Sequence, residues 1–105
     1  MPQFIISYVG GNPPASQEEG QQHMLKYRTW LAALGDSVVS PANPFKNTHT
    51  VSPDGTVEKG SGSSLSGYTI VNVESIEDAI AIAKECPFLD MEGTLEVSEL
   101  LQMPG

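Results

Sequence analysis

The chain has 105 residues, with 13 acidic and 5 basic side chains and a formal charge of −8. That length allows one domain over 1–105, able to bury roughly two-thirds of the surface its unfolded form exposes. The charge argues against nucleic acid and against an anionic membrane as partner, since both attract a basic face. A single cysteine, Cys86, leaves no internal disulfide and fits a cytoplasmic setting. The opening Met1-Pro2-Gln3-Phe4 has neither the basic start of a signal peptide nor a spanning apolar run after it.

Phe4 to Val9 is β-branched and aromatic and runs into Gly10-Gly11-Asn12-Pro13-Pro14, so it reads as a first strand and a breaker-rich loop. Ser16 opens a helix, with Glu19 at the capping-box spacing, and Gly35 ends it as a left-handed C-terminal residue. Gly20, His23, Met24, Tyr27, Trp30, Leu31 and Leu34 share one helical face that must pack on a sheet.

Asp36 to Ser40 reads as a second strand, interrupted by Pro41-Ala42-Asn43-Pro44. Thr48 to Val51 and Thr56-Val57 flank Ser52-Pro53-Asp54-Gly55, whose Pro and Gly favour a tight hairpin turn. Residues 58–66 are rich in Gly and Ser, the composition of a mobile segment.

Tyr68 to Val73 is nearly all strand-forming, as a central strand should be. Ser75, with Asp78 beyond it, caps a second helix whose apolar face is Ile76, Ala79, Ile80 and Ala83. Pro87 stops it near Cys86. Thr94 to Leu100 is the last strand, with Leu95 and Val97 on one side and Glu96 and Ser98 on a wet one.

The order β-α-β, hairpin, β-α-β points to an α+β, ferredoxin-like βαββαβ fold with an added hairpin and two helices on one face of an antiparallel sheet. The other face then needs cover, and a second copy is the simplest supplier, so a homodimer is expected.

Taken together, several short stretches resemble the YCII-related family of small dimeric α+β-barrel domains, related in fold to ferredoxin-like monooxygenases and muconolactone isomerases. They are Phe4–Tyr8, His23-Met24-x-x-Tyr27, Thr50-Val51 with Asp54-Gly55, Gly67 to Val71, Ser75–Ala83, Cys86-Pro87 and Gly93 to Val97. The evidence is their order and spacing over most of the chain. The resemblance implies a cleft in which His23 lies near the turn after the second helix. Some members carry an Asp before the proline of that turn, paired with the histidine. Here that residue is Cys86, so the acid of the pair is missing. An Asp-Gly-Pro-Phe signature found in another branch is also absent, its place taken by Lys59 to Ser66.

Imidazole as a class changes protonation near neutral pH, which makes His23 the candidate proton carrier. Asp90, or Glu92 beside it, is the candidate replacement for the missing carboxylate. Tyr27, Trp30, Tyr68 and Cys86 are candidates to line a small-molecule pocket, against the plainer reading that they are core. Cys86 ends a helix, where the dipole disfavours a thiolate, so it reads as a small buried hydrophobe rather than a nucleophile. His23 and His49 lack the Cys, Asp or Glu spacing of a metal site, and Gly60-Ser61-Gly62 lacks the lysine of a phosphate loop. No metal or cofactor is therefore expected. Two functions stay open: cofactor-free acid-base chemistry on a small organic molecule, and a non-catalytic module that binds a small molecule or a protein.

Overall fold

Phe4, Ile6 and Tyr8 are buried, while Ile5, Ser7 and Val9 between them are half-buried. That alternation marks a central strand with one face under cover and the other without it. The computed structural model describes residues 1–102. The strand is β1 (Gln3–Gly10), followed by α1 (Gln17–Leu34), β2 (Val38–Pro44), a hairpin of β3 (His49–Val51) and β4 (Val57–Lys59), β5 (Leu65–Asn72), α2 (Ile76–Lys84) and β6 (Gly93–Glu99). Short 3-10 turns occupy Gly35–Ser37 and Pro87–Met91. The main sheet runs β2-β5-β1-β6, antiparallel throughout, with β3 and β4 forming a separate ribbon. This is the ferredoxin-like α+β arrangement, with the hairpin as an insertion. No helix among the described residues is long and apolar enough to cross a membrane.

Both helices start where the sequence says. The Ser16 hydroxyl accepts from the Glu19 backbone N–H at 3.1 Å, and Ser75 does the same for Asp78 at 3.2 Å. Each bond satisfies a donor that the first helical turn leaves free. Gly35 does take a positive φ of 55°, but its ψ of −128° turns the chain into a 3-10 turn rather than a left-handed cap. The hairpin closes as expected, with the Gly55 N–H donating to the Ser52 carbonyl at 2.8 Å.

Two expectations need correction. Pro41 does not end β2, because β2 lies at the sheet edge, where a missing N–H is tolerated. Its cost is the slipped register between Val38 and Asn43. The 58–66 stretch is shorter as a loop than its composition suggests. β4 extends to Lys59 and β5 begins at Leu65. The residues between are held by Thr50 Oγ1 donating to the Gly60 carbonyl at 2.8 Å and by the Leu65 N–H donating to Ser61 Oγ at 3.2 Å.

The core lies between the helices and one sheet face. It comprises Phe4, Ile6, Tyr8 and Val71 from the sheet, Tyr27 and Trp30 from α1, Ala79 and Ala83 from α2, and Cys86 just after it. The two alanines let α2 sit close to the strands. Trp30 ties the helices together, since its indole Nε1 donates at 3.1 Å to the Ile82 carbonyl, which also accepts from the Glu85 N–H in the last turn of α2. On the stripe predicted to pack, Met24 is the exception at 50% exposed.

Phe88, in the turn after α2, stacks beside Tyr8 with ring centroids 5.2 Å apart. Its ring fits only because residues 11 and 93 have no side chain. A Cβ on Gly11 would come within 2.9 Å of Phe88 Cζ, and one on Gly93 would overlap the ring outright. Gly93→Ala is therefore expected to destabilise the fold by about 1–3 kcal/mol, the usual cost of overpacking. In urea unfolding, combining it with Phe88→Leu should cost less than the sum of the single changes.

Candidate functional site

Beneath α1 the buried polar groups converge. Tyr8 from β1, Tyr27 from α1 and Thr69 from β5 join their hydroxyls in one hydrogen-bonded cluster. Thr69 Oγ1 also donates to the Pro41 carbonyl of β2 at 2.5 Å. Thr69 is wholly buried, a position that a polar group holds only with partners. Burial raises both phenol pKa values above the ordinary tyrosine value, and the hydrogen bond with Thr69 pulls each part of the way back.

His23 is half-buried one turn before Tyr27 on α1. The two rings tilt toward each other at a centroid distance of 6.2 Å. Among the described residues the imidazole has no hydrogen-bond partner. It lines an open groove of about 750 Å³ along the N-terminal half of α1, with Pro14, Gln21, Met24, Leu25 and Arg28 among its neighbours. The volume falls within the range of small-molecule sites. No Asp or Glu lines this groove.

A second groove lies between α1 and the turn after α2. Trp30, Cys86 and Asp90 line it together with Lys26 and Lys84, and Leu25 separates it from the first. The structure thus brings Trp30, Cys86 and Asp90 together, but leaves Asp90 apart from His23. Asp90 is exposed and makes no hydrogen bond to the imidazole. Glu92 is engaged elsewhere, accepting from Asn12 Nδ2 at 2.8 Å.

Cys86 is 2% exposed. Burial pushes its thiol up to about 11, with the nearby Asp90 carboxylate contributing. A thiol held protonated in this way is a packing group at neutral pH.

Tyr68 does not join Tyr27. Alternate residues of β5 point to opposite faces, and Thr69 takes the inward position. Tyr68 lies on the open face, against Phe45 at 5.8 Å between ring centroids. The space between α1, the sheet and the turn, where a cleft is expected from the sequence, is filled by Tyr8, Tyr27, Thr69 and Phe88. The groove lies on the outer side of α1 instead.

Sequence reasoning passed over Tyr8, Thr69 and Arg28. Thr69 carried a readable signal as the only polar side chain alternating with Val71 on the inward face of a central strand. Arg28 carried none, since a lone cation on a helix looks like a solvated charge. Among the described residues no three His, Cys, Asp or Glu side chains converge as a metal site requires.

No protein-family model matches the sequence, and no curated protein sequence matches it either. The fold does have a counterpart among solved structures. It is similar to the 5-chloro-2-hydroxyhydroquinone dehydrochlorinase of Burkholderia phenoliruptrix AC1100, in complex with 2,5-dihydroxybenzoquinone, at a TM-score of 0.60 and 14% sequence identity over 96% of this chain and 95% of that one. At that identity the likeness shows a shared ferredoxin-like α+β fold over nearly the full length of both chains.

The buried hydroxyls set an alkaline limit on stability. Tyr8, Tyr27 and Cys86 all hold their protons more tightly folded than unfolded. Their contribution is present in full below the unfolded values, 9.0 for the thiol and 10.0 for the phenols, and is lost as pH rises toward the folded ones. Chemical unfolding should thus give a free energy that declines above about pH 9. In a spectrophotometric titration Tyr8 and Tyr27 should ionise only as the protein unfolds. Tyr27→Phe should cost about 1 kcal/mol, measured near neutral pH.

Proposed function

We propose that the chain is a YCII-related domain that works as a homodimer, binds a small organic molecule in the groove beside α1, and moves a proton on it through His23. The observation that carries this reading is the state of His23. Its ring is half-buried beside Tyr27 in a groove of small-molecule size, and among the described residues no group bonds either ring nitrogen. A structural histidine at this depth would be expected to bond a backbone carbonyl.

The lining narrows the ligand. Pro14, Met24 and Leu25 offer apolar surface, Gln21 and Arg28 offer donors, and acids are absent from the groove although the chain has 13. That combination suits a flat molecule with ionisable oxygens, such as a hydroxylated ring. The counterpart solved with 2,5-dihydroxybenzoquinone supports the class by analogy of fold. The half-buried sheet face formed by Ile5, Val9, Tyr68 and Ile70 supports the homodimer, because a second copy would cover it.

A second reading, binding without chemistry, is favoured by one observation. Among the described residues no carboxylate orients His23, and the turn position that would supply one holds the buried Cys86. Titration with 2,5-dihydroxybenzoquinone and chlorinated hydroxyhydroquinones separates the two. The catalytic reading expects saturable shifts in the His23 ring resonances together with turnover. His23→Ala should lower that turnover by about 10²–10⁴-fold while the Kd changes only a few-fold. Saturable binding without turnover supports the module, and no binding by any compound of the class overturns both.

A further inference from the structure

We propose that the β3–β4 hairpin is an arm that docks on a second copy of this chain and extends the interface made by the open sheet face. The inference rests on the homodimer reading above and adds a surface to it.

A two-stranded ribbon is marginal by itself in water and needs a packed face. This one has none among the described residues. Every residue of 51–60 is exposed, with Val51 at 67% and Val57 at 58%. The two valines are a direct cross-strand pair, so together they form an apolar patch on one side of the ribbon. The molecule is also extended for its length. The Cα radius of gyration is 15.1 Å, whereas a compact chain of about 100 residues has about 13 Å. The thinnest dimension is 18 Å, that of one helix layer on one sheet with nothing beyond.

The apolar patch is continuous with the open face. Val51 lines a groove with Phe45 and Leu65 at the base of the arm. Phe45 then stacks on Tyr68. Leu65 pairs with Val9, and Ile70 with Ile5, across β5 and β1. One apolar strip therefore runs from the arm onto the face that lacks cover.

Charge points the same way. Lys59, paired with His49, stands beside the two valines, so this side of the ribbon holds a cation and no acid in a chain of net charge −8. A cation beside an apolar patch favours an anionic group across an interface. The open face offers one at its β6 edge, where Glu96 is paired with Ser7. A second copy supplies both the apolar and the acidic surface.

Sedimentation equilibrium of the full chain across a concentration series tests the proposal, with Val51→Glu/Val57→Glu and the milder Val51→Thr/Val57→Thr as arm variants and Ile70→Glu as the open-face variant. Far-UV circular dichroism checks that each remains folded. The expected result is a wild-type dimer that the arm glutamates weaken about tenfold or more, the threonines weaken less, and Ile70→Glu abolishes. Amide exchange over 49–59 should also slow as the dimer forms. Arm variants that dimerise like wild type, with exchange there independent of concentration, overturn the arm and leave the sheet-face dimer standing. A wild-type monomer overturns the arm and the homodimer reading together.

Discussion

The hydroxyls of Tyr8, Tyr27 and Thr69, with the carbonyl of Pro41, join four elements at one buried point: β1, α1, β5 and β2. Apolar packing alone would let α1 slide along the sheet, because dispersion has no direction. Hydrogen bonds among buried hydroxyls do, and an unmade bond there costs more than a made one gains. This cluster therefore fixes the height and rotation of α1. It places Trp30 over the end of α2 and turns His23 outward into its groove. It also explains how an edge strand broken by proline stays in the sheet, since Pro41 lacks a donor but its carbonyl still has a partner.

Much of this was legible in the sequence where a local rule has a local cause. Ser16 and Ser75 announced the helix starts because a cap needs only its own first turn. Ser52-Pro53-Asp54-Gly55 announced the hairpin for the same reason, and the sheet order followed from element order. What was not legible depends on residues far apart in the chain. Nothing near Pro41 says that β2 is an edge strand, because edge position is decided by β5 and β1. Nothing near Gly93 says that Phe88 will lie across it. Tyr68 and Thr69 are neighbours, and only the register of β5 against β1 decides that Thr69 takes the inward side.

The candidate site divides along the same line. His23 was readable from its place on the α1 stripe. The separation of Asp90 from it was not, because that depends on the course of the 3-10 turn Pro87–Met91 relative to α1. The outcome is an imidazole in its groove with no carboxylate against it among the described residues, and a carboxylate in a separate groove with two lysines. With Cys86 too buried and too weakly acidic to replace the carboxylate, chemistry at His23 would depend on the ligand's own acidity more than on a tuned base.

Trp30 is the chain's single tryptophan, and its indole hydrogen bond spans the seam between α1 and α2. The protein thus carries a built-in optical gauge of that seam. Its emission colour reports whether the two helices are in register, while the open sheet face and the hairpin, on other sides of the molecule, leave it unchanged. Loosening of the helix layer and changes at the sheet face or hairpin are therefore events that fluorescence can tell apart without any added label.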